Sequence, residues 1–419
     1  MEFQDTMPLD GPGAQPLARH TAPMPLQPLA PAAAPAATAA APLEQVLSIR
    51  FTGSGSEYFR IWIVNLLLML VTLGFYYPFA KARRLRYFHA NTVIGEHALG
   101  FHGDPMKMLR GYLLMLVFGI CYGGAGYFSP MAAAVAALLL AALWPALWRA
   151  SLRFRLANTS WRGLRLRFTG GTAEAYRALL PLLLPGAVFV ALSASQRGAQ
   201  PDKLSQPAML AAGITLLVSG LTLMLLWPLG LAWIKRYQHS HYRFAGETSA
   251  LSARTSAFYG VWLVMILISL LPLGLMIVLV VVGSFGMIAS GGKAIWPLVL
   301  MGLGMAGFYL SLFFISQPYF TAKIQNLVWS ATRSTHLRFD SQLRFRPLGW
   351  LTFKNFLLML LTLGLYRPFA AIHTARLRLE AVQLFTHGDI GQWSAAGAGR
   401  FDDAAGDAAG DLLGIDIGL

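Results

Sequence analysis

The sequence predicts a predominantly α-helical polytopic membrane protein, with about eight apolar segments, three central helical hairpins and short β-strands in repeated cytoplasmic loops. Three observations carry that prediction. The chain of 419 residues is 56% hydrophobic and only 12% charged, about half the charge of an ordinary soluble domain. The deficit is concentrated: 111–148, 178–196, 204–234, 255–292 and 294–322 contain no Asp, Glu, Lys or Arg, and about 20 apolar residues suffice to cross the hydrocarbon core as a helix. A short phrase also recurs along the chain. An apolar residue, Arg or Gly, Phe, any residue, then Gly or Ser, is centred on Phe51, Phe101, Phe168, Phe244 and Phe339. A recurrence of this kind marks an array of one unit.

Residues 1–45 are rich in Pro and Ala and lack a basic stretch ahead of an apolar core, which predicts a disordered tail and not a cleaved leader. Residues 46–390 form the repeat-built membrane domain, with apolar segments near 61–80, 109–129, 131–148, 178–196, 207–233, 258–282, 295–317 and 352–370. The middle six pair as three hairpins. Residues 391–419, with Asp402, Asp403, Asp407, Asp411 and Asp416 among Ala and Gly, predict an acidic flexible tail.

After each hairpin comes a proline (Pro145, Pro228, Pro318), a basic stretch of helical spacing, then short strand-like runs. Pro78 to Asn91 and Pro145 to Asn158 share one spacing, and Thr follows Asn in both. A basic amphipathic helix closed by an Asn-Thr turn fits those residues. The runs 92–97, 164–168 and 335–339 read as strands. Since isolated hairpins are barely stable, the copies are expected to pair into one small sheet beneath the helices.

The net charge of +15 would suggest nucleic acid in a soluble protein, but its placement points to topology. The basic excess falls in 80–108, 149–177, 234–257 and 318–354, so those loops are expected on the cytoplasmic face. Lys81, Arg83, Arg84, Arg86, Arg149, Arg153 and Arg155 are the candidates for anchoring to anionic lipid head groups. Membrane lipid is the expected partner, and nucleic acid is not.

The first and last apolar segments are related. Asn65–Ala80 and Asn355–Ala370 agree at 12 of 16 positions, including Gly74 and Gly364, Pro78 and Pro368. Both are half the length of a hairpin. Length favours a single crossing for each, with both termini outside; equivalence with the other phrases favours a re-entrant hairpin, in which Gly74 and Pro78 would help the chain reverse.

The run Phe51-Thr-Gly-Ser-Gly-Ser-Glu-Tyr-Phe-Arg-Ile-Trp-Ile-Val-Asn-Leu-Leu-Leu, then Val71-Thr-Leu-Gly-Phe-Tyr-Tyr-Pro-Phe-Ala-Lys-Ala-Arg-Arg-Leu-Arg-Tyr-Phe, Asn91-Thr and Phe101-His-Gly closely resembles the YjgN-like family of bacterial inner-membrane proteins, over about residues 47–385. The resemblance implies a bacterial cytoplasmic-membrane location and supplies no activity. Departures occur at Asp340-Ser341 and at Ala371-Ile372-His373, where the first copy has Lys81-Ala82-Arg83.

Chemistry-bearing patterns are sparse. His239 and His241 could face one way on a strand as a metal pair, and His89, His97 and His102 fall in one loop, but a surface role outweighs ligation in both cases. Cys121 lies in apolar sequence, where a thiol packs as a small hydrophobe. No catalytic motif is present, and no enzyme activity, cofactor or metal is expected. Transport of a neutral or lipid-like substrate without proton coupling is the leading functional expectation, because the six middle segments lack buried charge yet carry proline breaks. A scaffold that binds anionic lipid through basic helices and a partner through the β-layer is the alternative.

Overall fold

The computed structural model describes residues 44–196, 206–388, 390–392 and 395. Nearly all of the two predicted tails, and the connection 197–205, lie outside the described residues.

Five units of one design follow one another: an incoming strand, helices running out and back, and a returning strand. The first comprises β1 (Glu44–Phe51), α1 (Gly55–Val71), α2 (Tyr77–Ala90) and β2 (Thr92–Ile94). The second comprises β3 (His97–Phe101), α3 (Pro105–Phe128), α4 (Pro130–Ala157) and β4 (Thr159–Trp161). In the third, the incoming strand breaks at Leu166 into β5 (Leu164–Arg165) and β6 (Arg167–Phe168), followed by α5 (Thr172–Gln196), α6 (Gln206–His239) and β7 (Tyr242–Phe244). The fourth opens on β8 (Glu247–Thr248) and β9 (Ala250–Leu251), continues through α7 (Thr255–Ala289), α8 (Trp296–Ser311), a π-helical turn (Leu312–Ser316) and α9 (Gln317–Ser330), and ends on β10 (Thr332–Arg333). The fifth is β11 (Leu337–Ser341), α10 (Phe345–Leu361), α11 (Arg367–Leu379) and β12 (Val382–His387).

The strands pair in the order β5-β4-β3-β2-β1-β12-β11-β10-β9, with a second sheet β6-β7-β8. A single residue joins β5 to β6, and another joins β8 to β9. The hydrogen-bonded order therefore returns to its start, and the two sheets together make a closed ring of ten strands, two from each unit. At the seams Leu166 N donates to Thr159 O (2.9 Å) and Ser249 N to Tyr242 O (2.8 Å). Closure leaves no unpaired edge among these strands. The strands of the repeated loops thus pair with one another.

One hydrogen bond recurs in every unit and fixes the register of the repeat. Thr52 N donates to Asn91 O (2.9 Å), His102 N to Asn158 O (2.8 Å), Thr169 N to His241 O (3.0 Å), Ser252 N to Ala331 O (3.0 Å) and Gln342 N to Ala381 O (2.9 Å). The equivalent preceding residues are Phe51, Phe101, Phe168, Leu251 and Ser341. This corrects the sequence reading of two copies. Ala245 (φ 48°) and Gly246 (φ 86°) form the tight turn between β7 and β8, so Phe244 precedes a hairpin turn and not a helix. Phe339 lies two residues before its unit's joint, and both rings join the cluster inside the ring.

Seven residues after each joint stands a buried core residue: Tyr58, Met108, Ala175, Phe258 and Leu348. Each packs in its own small cluster against the preceding unit's returning helix; Phe51 and Tyr58, for example, meet Ile372 of α11. Burying a side chain the size of Met108 or Phe258 contributes about 1.5–3 kcal/mol. The glycine of the phrase has a steric cause. A Cβ on Gly103 would lie 2.5 Å from the Phe101 ring, and one on Gly170 would lie 2.7 Å from Phe168. Where the aromatic ring is replaced by Leu251, Ala253 follows; where it is Ser341, Leu343 follows.

Pro78, Pro145, Pro228, Pro318 and Pro368 are all fully buried. Each stands the same 13 residues before the joint-accepting residue of its unit, Asn91, Asn158, His241, Ala331 and Ala381. Separate interfacial helices after these prolines, however, form only where a turn or π-helical segment intervenes. In the second and third units Pro145 and Pro228 lie inside the continuous helices α4 and α6.

Single crossings by 61–80 and 352–370 are not what the fold contains. The chain reverses at Leu73-Gly74 (φ 49° and 91°) and again at Leu363-Gly364 (φ 50° and 89°). Thr72 and Thr362 organise both turns: Thr72 Oγ1 donates to Leu68 O (2.7 Å) and accepts from Tyr76 N (3.0 Å), and Thr362 does the same with Leu358 O (2.6 Å) and Tyr366 N (3.0 Å). Gly74 N donates to Met69 O, and Gly364 N to Met359 O, a helix stop that satisfies the terminal carbonyls internally. The first and fifth units are therefore half-height versions of the others. Among the described residues, five helices are long and apolar enough to cross a membrane: Pro105–Phe128, Met131–Ala157, Ala212–His239, Thr255–Ala289 and Trp296–Ser330.

Candidate functional site

Inward-pointing side chains from around the ring, Ile94, Leu99, Trp161, Phe244, Leu337 and Leu384, surround a cavity of about 950 Å3. Period-two alternation puts them there: in β12, Val382, Leu384 and Thr386 are buried while Gln383 is exposed. Ile390, just past β12, is buried against Trp161 and Leu384 and helps fill the ring.

The cavity continues out of the ring between the helices. Its wall on α11 includes Arg367, Ala370, Ala371, Thr374, Ala375 and Arg378, positions i, i+3, i+4, i+7, i+8 and i+11 of one helix face. Small residues between two arginines leave a groove along that face, about 16 Å long at 1.5 Å per residue. From α10 come Thr352, Asn355 and Met359, and from α2 come Arg84 and Phe88.

Charge in this space is one-sided. Among the described residues, Arg84, Arg243, Arg367 and Arg378 line it with a single carboxylate, Glu247. That carboxylate is engaged, accepting from Ser334 Oγ (2.9 Å), His336 N (3.2 Å) and the His336 ring. Among the described residues none of the four arginines pairs with a carboxylate. Arg378 Nε donates to Gln325 Oε1 at 2.9 Å, and burial pulls its guanidinium below the ordinary value. Tyr242, also lining the cavity, is pushed up to about 12 by burial and so stays neutral. Among the described residues Asn355, only 4% exposed, has no partner for Oδ1, and Trp161 Nε1 and Arg243 Nε are likewise unpartnered. Native interiors pair nearly all such groups, so three orphans around one cavity point to a polar occupant.

Arg367 occupies the place that Tyr77 holds in the first unit. It follows the apolar turn at Leu363, whose side chain is 94% exposed. From Phe356 to Tyr366 the chain carries no charge. A guanidinium at that height, facing a cavity, is a feature membrane proteins keep for function.

The sequence candidates divide in the structure. Asn355 and Arg84 line the cavity; Asn65 is buried elsewhere, also with an orphan Oδ1. Gly74, Gly364, Pro78 and Pro368 shape the half-height hairpins. Phe51, Phe101 and Phe168 pack at unit joints. Arg86 Nη2 donates to Gly103 O (3.0 Å) and Arg149 Nε to Gly170 O (2.7 Å), so both brace the next unit's joint. Arg236 to Ala253 O (3.1 Å), Asn326 to Leu343 O (2.9 Å) and Arg376 to Gly53 O (3.0 Å) complete the cycle. Arg83 is exposed, 5.8 Å from the Tyr76 ring centroid, while Lys81, Arg153 and Arg155 are half-buried.

His239 and His241 do not converge. His239 Nδ1 meets Thr332 Oγ1 at 3.0 Å, whereas His241 turns to Tyr237 O (2.8 Å) and Glu174 (3.2 Å). His89 bonds Leu85 O (2.7 Å) and His102 bonds Ser160 Oγ (2.8 Å). Among the described residues no three metal-ligating side chains come together. The arginine stripe of α11 escaped the sequence reading, although its i, i+3, i+4 spacing of small residues was a usable signal.

Ring, helices and cavity define a multi-pass helical membrane protein built on a five-unit β-ring. The chain belongs to the family described as "bacterial protein of unknown function (DUF898)", whose profile matches residues 46–412, in agreement with the YjgN-like resemblance. It is similar to the inner membrane protein YjgN of Salmonella typhimurium, 26% identical over 150 residues, which is 34% of this chain and 37% of that one. The inner membrane protein YjgN of Escherichia coli K12 is 31% identical over 123 residues, 29% of this chain and 31% of that one. The chain thus spans about a third of the length of the curated relatives it matches. No solved structure matches it.

Proposed function

We propose that this is a bacterial inner-membrane protein that moves a lipid-like substrate between the bilayer and the interior of its β-ring. The observation that carries this reading is the continuity of one cavity from Met359 and Arg367, near the half-height turn, to Leu99 and Trp161 inside the ring. The relatives' inner-membrane names and the basic excess of the ring-side loops support a ring on the cytoplasmic side. In this topology the three full-height hairpins make six crossings, α5 being the sixth besides the five long apolar helices. The first and fifth units enter and leave from the ring side, so both ends of the folded domain are cytoplasmic.

A substrate with an apolar body suits the aliphatic and aromatic lining. The long apolar stretches of the full-height helices, 111–148, 178–196, 206–234, 255–289 and 296–322, carry no Asp, Glu, Lys or Arg for coupled proton movement. The scaffold alternative draws support from exposed Arg83. It is weakened by ring closure, which leaves a protein partner no strand edge to extend.

Native mass spectrometry of the purified protein tests the reading. About one retained lipid per chain is expected, and loss of that lipid in Ala371→Trp, which fills the groove, with elution unchanged. Absence of retained lipid, or equal retention by the filled variant, would contradict it.

A further inference from the structure

The cavity's polar groups narrow the class of its occupant. Among the described residues, four arginines against one engaged carboxylate leave an excess of positive charge in a space with aliphatic and aromatic walls. Guanidinium groups recognise phosphate through paired N–H donors. Beside them, Asn355 Oδ1 is a buried acceptor with no donor, while Asn355 Nδ2 faces Thr374 Oγ1 at 3.4 Å. A phosphate ester whose head group also carries hydroxyls meets both needs: its anionic oxygens take the guanidinium donors, and a hydroxyl donates to Asn355.

We infer that the cavity is a binding site for an anionic glycerophospholipid with a hydroxylated head group, held between Arg84, Arg367 and Arg378 with a hydroxyl on Asn355. This rests on the lipid-handling reading and specifies its substrate class. The two arginines of α11 lie at opposite ends of the Ala-Thr groove. Arg367 reaches toward the phosphate from the turn end of the groove and Arg378 and Arg84 from the ring end, with Thr374 and Asn355 at the level between them. The low wall of the fifth unit is the side from which the lipid arrives. The tips there carry Leu363 and Leu365, both exposed, and α10 and α11 line the cavity on that side. The anchoring of the outer surface to bulk lipid is a separate matter, because Arg83 does not line the cavity.

The test uses the full-length protein in detergent with defined ligands: phosphatidylglycerol, phosphatidylmethanol (anionic, without hydroxyls), diacylglycerol (uncharged) and sn-glycerol 3-phosphate (no chains), with retention read by native mass spectrometry. Phosphatidylglycerol is expected to be retained at least ~10-fold more strongly than diacylglycerol or glycerol 3-phosphate, the scale of one or two charge-assisted hydrogen bonds. Arg367→Gln and Arg84→Gln, neither of which breaks a hydrogen bond among the described residues, are each expected to lower that retention by about 5–10-fold, while Arg83→Gln leaves it unchanged. Asn355→Leu is expected to remove the preference for phosphatidylglycerol over phosphatidylmethanol. Retention of diacylglycerol equal to phosphatidylglycerol would overturn the anionic assignment while leaving lipid handling standing. Glycerol 3-phosphate binding as tightly as the lipid would overturn the assignment of the chains to the cavity. Equal retention of phosphatidylmethanol by the wild type would overturn the hydroxyl contact. No retained lipid of any kind would remove the functional reading itself.

Discussion

The guanidinium of Arg376 reaches the carbonyl of Gly53 at 3.0 Å, joining residues 323 positions apart in the chain. It also approaches Phe51 O at 3.3 Å. This contact is the last of a cycle in which each unit's returning helix braces the joint of the next, so the fifth unit holds the first. Arg376→Gln should destabilise the protein by about 1.5–3 kcal/mol, the worth of hydrogen bonds from a charged donor. Arg338→Gln, on an exposed side chain over the Phe385 ring, should change little. Thermal unfolding followed by fluorescence-detected size exclusion measures both.

The glycine of each joint makes a second expectation. Gly103→Ala places a methyl against the Phe101 ring and should cost about 1–3 kcal/mol, as overpacking does. Adding Phe101→Leu should restore part of the loss, because the fourth unit already pairs Leu251 with Ala253. A double variant less stable than Gly103→Ala alone would show that the ring and the methyl do not compete.

How far such details could be read from sequence depends on which residues carried them. The Asn-Thr pairs at 91 and 158 were legible because the side chains repeat. The same joints at His241-Tyr242, Ala331-Thr332 and Ala381-Val382 were not, since the conserved feature there is a backbone carbonyl that any residue supplies. Phe244-Ala-Gly246 imitated a joint because a tight hairpin turn and a close approach under an aromatic ring both call for glycine. The helical hairpins were visible in hydropathy, whereas the reversal at Gly74 was obscured by an apolar run long enough to cross once. The cavity was least visible. Its lining is shared among strands and helices from every unit, and the groove itself is made by the smallness of Ala370, Ala371 and Ala375.

The half-height hairpins predict a labelling pattern. From Ile61 to Val71 the helix α1 rises about 15 Å, short of a hydrocarbon core of about 30 Å. In a Cys121→Ala background, Leu73→Cys and Leu363→Cys should resist a membrane-impermeant maleimide added from either side. Tyr127→Cys, at the far end of a full-height hairpin, should react from the side opposite the ring. Rapid reaction of Leu73→Cys from that same side would mean that the first unit crosses.

His89 gives the fold a pH dependence. Burial holds its imidazole below the ordinary value of 6.5, with the Leu85 carbonyl contact opposing the shift and Arg155 adding to it. The neutral ring is therefore preferred in the folded state. Its contribution is complete above 6.5, and it is lost as pH falls from there through the lower folded value. Between pH 7 and pH 5 the wild type should lose more thermal stability than His89→Gln, and an equal loss would exclude His89 as a source.

Closure of the ring through its first and last strands is the claim on which the cavity, the joint cycle and the shared side of both ends depend. In β1 and β12, Ser48 stands opposite Gln383, both side chains facing outward, and directly opposed Cα atoms at about 4.5–5.5 Å suit a disulfide. The direct measurement is oxidation of Ser48→Cys/Gln383→Cys in the Cys121→Ala background, with a protease site placed in the 197–205 connection. After cleavage the two fragments should stay linked on a denaturing gel without reductant and separate with it, whereas Ser48→Cys/Arg333→Cys should not link. Failure of the first pair to link, or equal linking by both, would contradict a ring closed by β1 and β12.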